Sequence, residues 1–309
     1  MSLLSAILPP FLAALGYAAA KEWGSGGGTS GLYWQSPAMF SFFAGLLVAL
    51  GLRPVLTRVP WTRGTAFALT WLCLLAIGPA SAWSEAALLE RLGWLAFPYA
   101  LRREPFPDLL AAWVAAGILA WLYRPRGGDI GWASLSKRLS RSVPAQWLSR
   151  LAFAGLAVSL VSLIQGLADG LLARSGWMQP LDPVNPWLRL VMAIAEGGAG
   201  SPDWPAAPGV LAVDWLRGTV SALPMLAIAL VIRGSRPQMA LVFGLIWFIV
   251  AEFAPLIEDQ PFPSQTWLTL RAALDAAGAA AIGLAAAHIL APLTPDAGPP
   301  APARVLDAA

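Results

Sequence analysis

The chain has 309 residues, of which 58% are hydrophobic and only 12% are charged. An ordinary soluble domain carries about 25% charged residues, so this composition excludes that class and indicates an integral membrane protein. The formal net charge is +3, but the basic residues are sorted between apolar segments as membrane topology requires, so no nucleic-acid partner is expected.

Eight apolar segments are predicted to cross the membrane as α-helices, because a crossing of about 30 Å needs about 20 apolar residues. In chain order they cover residues 2–20, 37–52, 65–83, 106–123, 151–173, 214–232, 237–257 and 266–290. Two amphipathic segments, 85–101 and 187–194, are predicted to lie on the outer membrane surface. The predicted fold class is an all-α bundle of about eight transmembrane helices with short amphipathic surface helices.

The end of the first span resembles a signal-peptide cleavage site, since Ala18, Ala19 and Ala20 are followed by Lys21. A secretory signal also has basic residues before its apolar run, and none precedes this one. A retained transmembrane helix is therefore the favoured interpretation, with cleavage as the alternative.

Residues 124–150 connect two groups of four spans and contain six basic residues against the single acid Asp129. Basic residues near helix ends stay on the cytoplasmic side, so this connector and both termini are predicted to be cytoplasmic. The predicted units are a first transmembrane half at 1–123, the connector at 124–150, a second transmembrane half at 151–291 and a disordered, proline-rich tail at 292–309.

Part of the connector has an amphipathic pattern. Trp132 and Leu135 recur at helical spacing, while Lys137, Arg138 and Arg141 face the other way. Such a helix would rest on anionic lipid headgroups, so these three basic residues are predicted lipid contacts. A loop that only sets the topology is the alternative.

The two halves share sequence landmarks in the same order. FALTWLCLLAIGP at 67–79 and FGLIWFIVAEFAP at 243–255 have Phe, Leu, Trp and Pro in register, and Pro-Phe-Pro introduces the last span of each half at 105–107 and 261–263. This pattern favours a parallel 4+4 repeat of the kind found in some transporters. Accidental matches in so biased a composition are the alternative.

Ionisable residues inside the bilayer mark candidate sites, because one at the centre costs about 2.5–3.5 kcal/mol on insertion scales. They are Asp169, Arg217, Glu252, Arg271 and Asp275, all in the second half and all predicted in the outer half of the membrane. The hypothesis is a ligand-binding polar pocket, open to the outer side, in which Arg217 and Arg271 neutralise the acids or bind an anionic group. The slightly favoured alternative is that these residues form structural pairs between helices or extend to the interface.

Enzymatic and metal-dependent functions have little support. The chain has one cysteine, Cys73, and one histidine, His288, so no disulfide, metal site or other cofactor is expected. A Ser/His pair would have to use His288, and no Gly-flanked serine stands near the same end of its span. No catalytic residue is therefore assigned.

The composition and the candidate pocket together predict a small-solute transporter-like or ligand-binding membrane protein. The alternative is a non-catalytic scaffold or subunit of a membrane complex that uses the Ala-rich last span as a contact surface. Membrane lipids are expected partners. A small solute or other membrane-protein subunits are further candidate partners. Because lysine is scarce beside arginine, alanine and proline, a bacterial inner membrane is the predicted location.

Overall fold

The computed structural model describes residues 3–25, 37–59, 61–78, 105–123, 130–131, 133, 144–174, 207–230, 235–258 and 265–290. Several predictions lie outside these residues. They are the surface helices at 85–101 and 187–194, the lipid contacts Lys137, Arg138 and Arg141, and the tail at 292–309.

The described residues form eight helices and no β-strand. They are α1 Leu3–Gly24, α2 Pro37–Arg58, α3 Arg63–Ile77, α4 Pro105–Leu122, α5 Pro144–Arg174, α6 Ala207–Ala229, α7 with the consecutive parts Arg236–Trp247, Phe248–Phe253 and Ala254–Glu258, and α8 Gln265–Leu290. The middle part of α7 is a π-helical turn. Helices α2, α5, α6, α7 and α8 are long and apolar enough to cross a membrane, whereas α3 and α4 are apolar but shorter. The described part of the chain is therefore all-helical, and its five long apolar helices support a multi-pass membrane protein.

Helix α5 begins earlier than the sequence pattern indicated. It starts at Pro144, inside the predicted basic connector, and not near residue 151. Proline suits the first turn of a helix because the amide that it lacks has no partner there. Trp147 then packs against the core, and the Arg150 guanidinium lies 5.3 Å from the centre of its ring.

The helices pack in the same pairwise pattern in both halves. In the first half, α1 packs against α2 and α4, and α3 packs against α4. In the second half, α5 packs against α6 and α8, and α7 packs against α8. The halves meet where α2 contacts the end of α7 and where α3 contacts α6. One apolar core continues through both halves, with Trp61, Phe243 and Trp247 among its largest buried side chains.

The connection between α2 and α3 lies against the chain that follows α4. Thr62 donates its backbone N–H to the carbonyl oxygen of Ile130 at 3.0 Å. The buried Trp61 donates its indole N–H to the carbonyl oxygen of Val55 at 3.1 Å. Two segments that were predicted on one side of the membrane therefore lie at the same end of the bundle.

Two glycines allow α5 and α6 to approach each other closely. A Cβ atom on Gly155 would collide with Thr219 and lie 2.6 Å from the carbonyl oxygen of Trp215. A Cβ atom on Gly218 would lie 2.8 Å from the carbonyl oxygen of Gly155. The Trp215 indole N–H also donates to the Ala152 carbonyl oxygen at 2.8 Å. Small residues at such crossings stabilise membrane helix pairs by backbone-to-backbone packing.

Gly155→Ala is expected to lower the free energy of unfolding by about 1–3 kcal/mol, because the new methyl group meets backbone atoms that cannot move aside cheaply. The control is Gly64→Ala, since a Cβ atom at Gly64 has nothing within 4 Å. The measurement is the thermal midpoint of the detergent-solubilised protein, followed by tryptophan fluorescence. Equal midpoints for the two variants would contradict the proposed close crossing.

Candidate functional site

Three helices of the second half form the framework of the site. A Cβ atom on Gly244 would lie 3.0 Å from the carbonyl oxygen of Ala279, and one on Gly283 would collide with Ala240. Helices α7 and α8 therefore run antiparallel. Helix α8 also contacts α5, where Arg271 pairs with Asp169. The carboxyl ends of α5 and α7 thus lie at the same end of the bundle as the amino end of α8.

Arg271 joins α5 to α8 through two carboxylates. Its Nη1 donates to Asp169 Oδ2 at 2.7 Å. Its Nε donates to Asp275 Oδ2 at 3.1 Å and lies 3.0 Å from Asp275 Oδ1. Asp275 stands one helical turn after Arg271, so both project from the same face of α8. The side chain of Asp275 is only 3% exposed, against 15% for Asp169 and 21% for Arg271.

The π-helical turn in α7 sets the position of Glu252. Trp247 donates its indole N–H to Glu252 Oε1 at 3.1 Å, and the rings of Phe248 and Phe253 stack with centroids 5.2 Å apart. Both contacts join residues five apart, which share a face in a π-helix but not in an α-helix. The Glu252 carboxylate interacts electrostatically with Arg271 and with both aspartates. It therefore lies near this charged group, while its direct hydrogen bond is the one from Trp247.

We refer to Asp169, Glu252, Arg271 and Asp275 as the ion cluster. It contains three carboxylates and one guanidinium, so its acids exceed its base by two. Asp169 Oδ1 is buried without a hydrogen-bond donor among the described residues, whereas Asp275 Oδ1 is buried in ionic contact with Arg271 Nε. Among the described residues, no three His, Cys, Asp or Glu side chains are arranged to hold a metal ion.

Arg217 lies in a different part of the bundle. It pairs with Asp214 at 3.4 Å and directly precedes Gly218, which packs on Gly155 of α5. Gly155 is fourteen residues before Asp169, which is about 20 Å along a helix. The expectation that all five charged residues could share one pocket therefore does not extend to Arg217.

An apolar group adjoins the ion cluster on the side of the helix ends. Leu256 is buried there, and its partly buried neighbours are Leu172, Phe253, Leu268, Leu270 and Leu274. Leu172 stands three residues beyond Asp169 towards the end of α5, and Leu268 stands three residues before Arg271 towards the start of α8. We call these six residues the apolar cap. Leu172 and Leu268 lie nearer the helix ends than the charged residues do, whereas Leu274 is next to Asp275 and Phe253 is next to Glu252.

Helix α5 carries polar side chains from the ion cluster towards the middle of the bundle. Gln165 lies one turn before Asp169, and its amide occupies the space that a side chain on Gly278 would need. Farther along, the hydroxyl of Ser159 is buried and has no hydrogen-bond partner in the described ranges. The spacing of Ser159, Gln165 and Asp169 along α5 follows from the sequence, whereas the cap depends on tertiary structure.

The structure thus brings Asp169, Arg271 and Asp275 into direct contact, with Glu252 beside them. Arg217 instead pairs with Asp214, a residue that the sequence reading did not single out. Comparison of the chain with known protein families, curated proteins and solved structures finds no match.

Proposed function

We propose that this protein binds a small solute at the ion cluster and acts as a solute transporter or ligand-binding membrane protein. The observation that carries this proposal is the convergence of three carboxylates and one guanidinium from α5, α7 and α8. Charged groups inside a bilayer are costly, and those that persist mark substrate or ion pathways. A purely structural ion pair would need one acid for its base, and this cluster has three.

A repeated architecture supports the transporter proposal. The segments AAWVAAG at 111–117 in α4 and AALDAAG at 272–278 in α8 occupy equivalent places in the two halves. Each half also joins its first helix to its fourth by an ion pair, Lys21–Asp108 at 3.2 Å and Asp169–Arg271 at 2.7 Å. We propose a 4+4 parallel repeat of eight crossings in which only the second half has acquired excess charge.

We further propose that the protein lies in a bacterial inner membrane with both termini in the cytoplasm. Cys73 is buried and is the single cysteine of the chain, so Cys73→Ala gives a cysteine-free background. Exposed serines then provide reporter positions near helix ends, namely Ser25, Ser149 and Ser235. A membrane-impermeant maleimide added to intact cells should label Ser25→Cys, and should label Ser149→Cys and Ser235→Cys only after permeabilisation. Labelling of all three from one side would contradict this topology.

Ligand-induced stabilisation tests the proposed function. The purified protein is heated with panels of small amines, amino acids, sugars and carboxylates. We expect at least one class to raise the thermal midpoint, and Arg271→Ala and Asp275→Ala to abolish that rise. Asp108→Asn, which alters an ion pair in the other half, serves as the control. If every solute leaves the midpoint unchanged, the proposal is wrong.

The alternative function, a scaffold or subunit of a membrane complex, is favoured by one observation. Helix α8 exposes small side chains on one face, namely those of Ala276, Ala277, Ala280 and Ala281. Such faces permit close packing of a neighbouring transmembrane helix. If Ala277→Trp releases a co-purifying membrane protein and no solute stabilises the chain, the scaffold function replaces the transporter proposal.

A further inference from the structure

The basic residues where α2 ends and α3 begins lack carboxylate partners. Arg63 is exposed in the first turn of α3, and no ion pair joins it or Arg53 to an acid in the described ranges. Ion pairs do form elsewhere in the bundle, where carboxylates serve Lys21, Arg217 and Arg271. The Arg63 guanidinium is therefore available to a negative group from outside the chain.

The sequence at this end contains almost no acid, whatever course the linking segments take. Thr62, in the link between α2 and α3, donates to Ile130 in the segment after α4. Residues 53–63 and 123–143, to which these two residues belong, contain eight basic residues and one acid, Asp129. Anionic lipid headgroups are the negative partner that a membrane supplies to such a basic end.

Trp121 holds Arg63 beside the lipid-facing surface of α4. Trp121 is 63% exposed in the last turn of that helix, and the Arg63 guanidinium lies 4.9 Å from the centre of its ring. Exposed tryptophans at the ends of membrane helices lie at the level of the headgroups. A guanidinium over such a ring still presents N–H groups in a fork that matches the oxygens of a phosphate.

A recess leads from Arg63 towards the middle of the membrane between α3 and α4. Trp113, Gly117 and Trp121 stand four residues apart, so they share one side of α4. Both tryptophans are exposed, and a Cβ atom on Gly117 would have only Phe67 of α3 within 4 Å, at 3.9 Å. Phe67 in turn packs edge-on against Trp113, with ring centroids 6.0 Å apart. The missing side chain at Gly117 thus leaves an apolar recess between two rings that are about 12 Å apart along the helix.

We infer that an anionic phospholipid binds in this recess, with its phosphate at Arg63 and one acyl chain over Gly117 and Phe67. The unpaired guanidinium calls for a negative headgroup, and the apolar recess beside it calls for an attached chain. A free phosphate ion would use only the first of these features. The inference goes beyond the solute-binding proposal, because α3 and α4 belong to the first half and the ion cluster to the second.

The test uses the full-length protein in detergent with stepwise addition of dioleoyl phosphatidylglycerol. Dioleoyl phosphatidylcholine is the control with the same chains and no net charge, and inorganic phosphate is the control without chains. We expect phosphatidylglycerol to raise the thermal midpoint well above either control. Native mass spectra should show phosphatidylglycerol retained on the protein.

Two variants test the two parts of the recess. Arg63→Gln should weaken the apparent affinity for phosphatidylglycerol about fivefold, the contribution of one basic residue near an anionic surface. Gly117→Leu keeps every charge and fills the recess, so it should weaken binding by a similar factor without lowering the midpoint of the lipid-free protein. Arg236→Gln is the matched control and should bind as the unaltered protein does, because Arg236 is exposed in the first turn of α7, in the second half.

Four results would overturn the inference. Equal stabilisation by phosphatidylcholine would show that the headgroup charge does not matter, and equal stabilisation by inorganic phosphate would show a free-anion site. If Arg236→Gln weakens binding as Arg63→Gln does and Gly117→Leu has no effect, the lipid responds only to the overall charge. If Gly117→Leu releases a co-purifying protein and leaves lipid binding unchanged, a partner helix occupies the recess. If Gly117→Leu does not fold, Trp121→Leu supplies the comparison, since Trp121 is exposed.

Discussion

Replacement of Arg271 with methionine is expected to lower the free energy of unfolding by about 3–5 kcal/mol, the usual cost of removing one partner from a buried ion pair. Methionine retains much of the aliphatic stem but leaves Asp169 and Asp275 without their shared cation. The remaining carboxylates would then repel one another at close range. Thermal or denaturant unfolding in detergent measures the loss.

Two further variants test the cause of that loss. Arg236→Met is the matched control, because Arg236 is exposed in the first turn of α7, outside the ion cluster, and it should leave stability nearly unchanged. The triple variant Arg271→Met, Asp169→Asn, Asp275→Asn should recover most of the stability, since neutral groups replace the stranded charges. If the triple variant is as unstable as Arg271→Met, lost packing and not lost charge pairing explains the effect.

The sequence predicted the helical membrane architecture because that architecture follows from local composition. Apolar segments of sufficient length must form helices in lipid, where each backbone amide needs an internal partner. The start of α5 was placed too late, because residues 144–150 include Gln146, Ser149 and Arg150 and are too polar to register as part of an apolar span. Helix ends that extend beyond the apolar region depend on tertiary contacts such as the packing of Trp147 on the core.

The ion cluster could be predicted only in part. The pair Arg271 and Asp275 follows from helical spacing, and Asp169 was recognised by its cost in a bilayer. The separation of Arg217 from them could not be predicted, because it depends on where α6 crosses α5, at Gly155 and Gly218. A different crossing point would bring different residues to the carboxylates.

Glu252 is a candidate site residue from the sequence, but its contact with Trp247 could not be predicted. An α-helical α7 would turn Trp247 and Glu252 to different faces, whereas the π-helical turn at Phe248–Phe253 brings them together. Such turns often occur at functional sites. Here the turn adds a third carboxylate to a pair of aspartates that already share one guanidinium.

Glu252→Gln is expected to raise the stability of the ligand-free protein, by about 1 kcal/mol, while it weakens ligand binding. Glutamine keeps an oxygen that can accept the Trp247 hydrogen bond, and it removes one negative charge from a cluster with excess acid. Binding sites commonly lower the stability of the ligand-free protein in this way, because the repulsion between like charges is relieved only when a ligand binds. The midpoint without ligand should rise, and the ligand-induced increase should shrink.

The sign of the change in stability caused by Glu252→Gln distinguishes a binding site from a structural ion pair. Asp108→Asn removes the carboxylate that pairs with Lys21, so it should lower stability. A carboxylate is thus lost in both variants, with opposite expected signs, because among the described ion pairs the cluster around Arg271 has more acids than bases. If Glu252→Gln destabilises the protein as Asp108→Asn does, Glu252 stabilises the ligand-free protein. The excess negative charge would then not be a feature of a ligand-binding site.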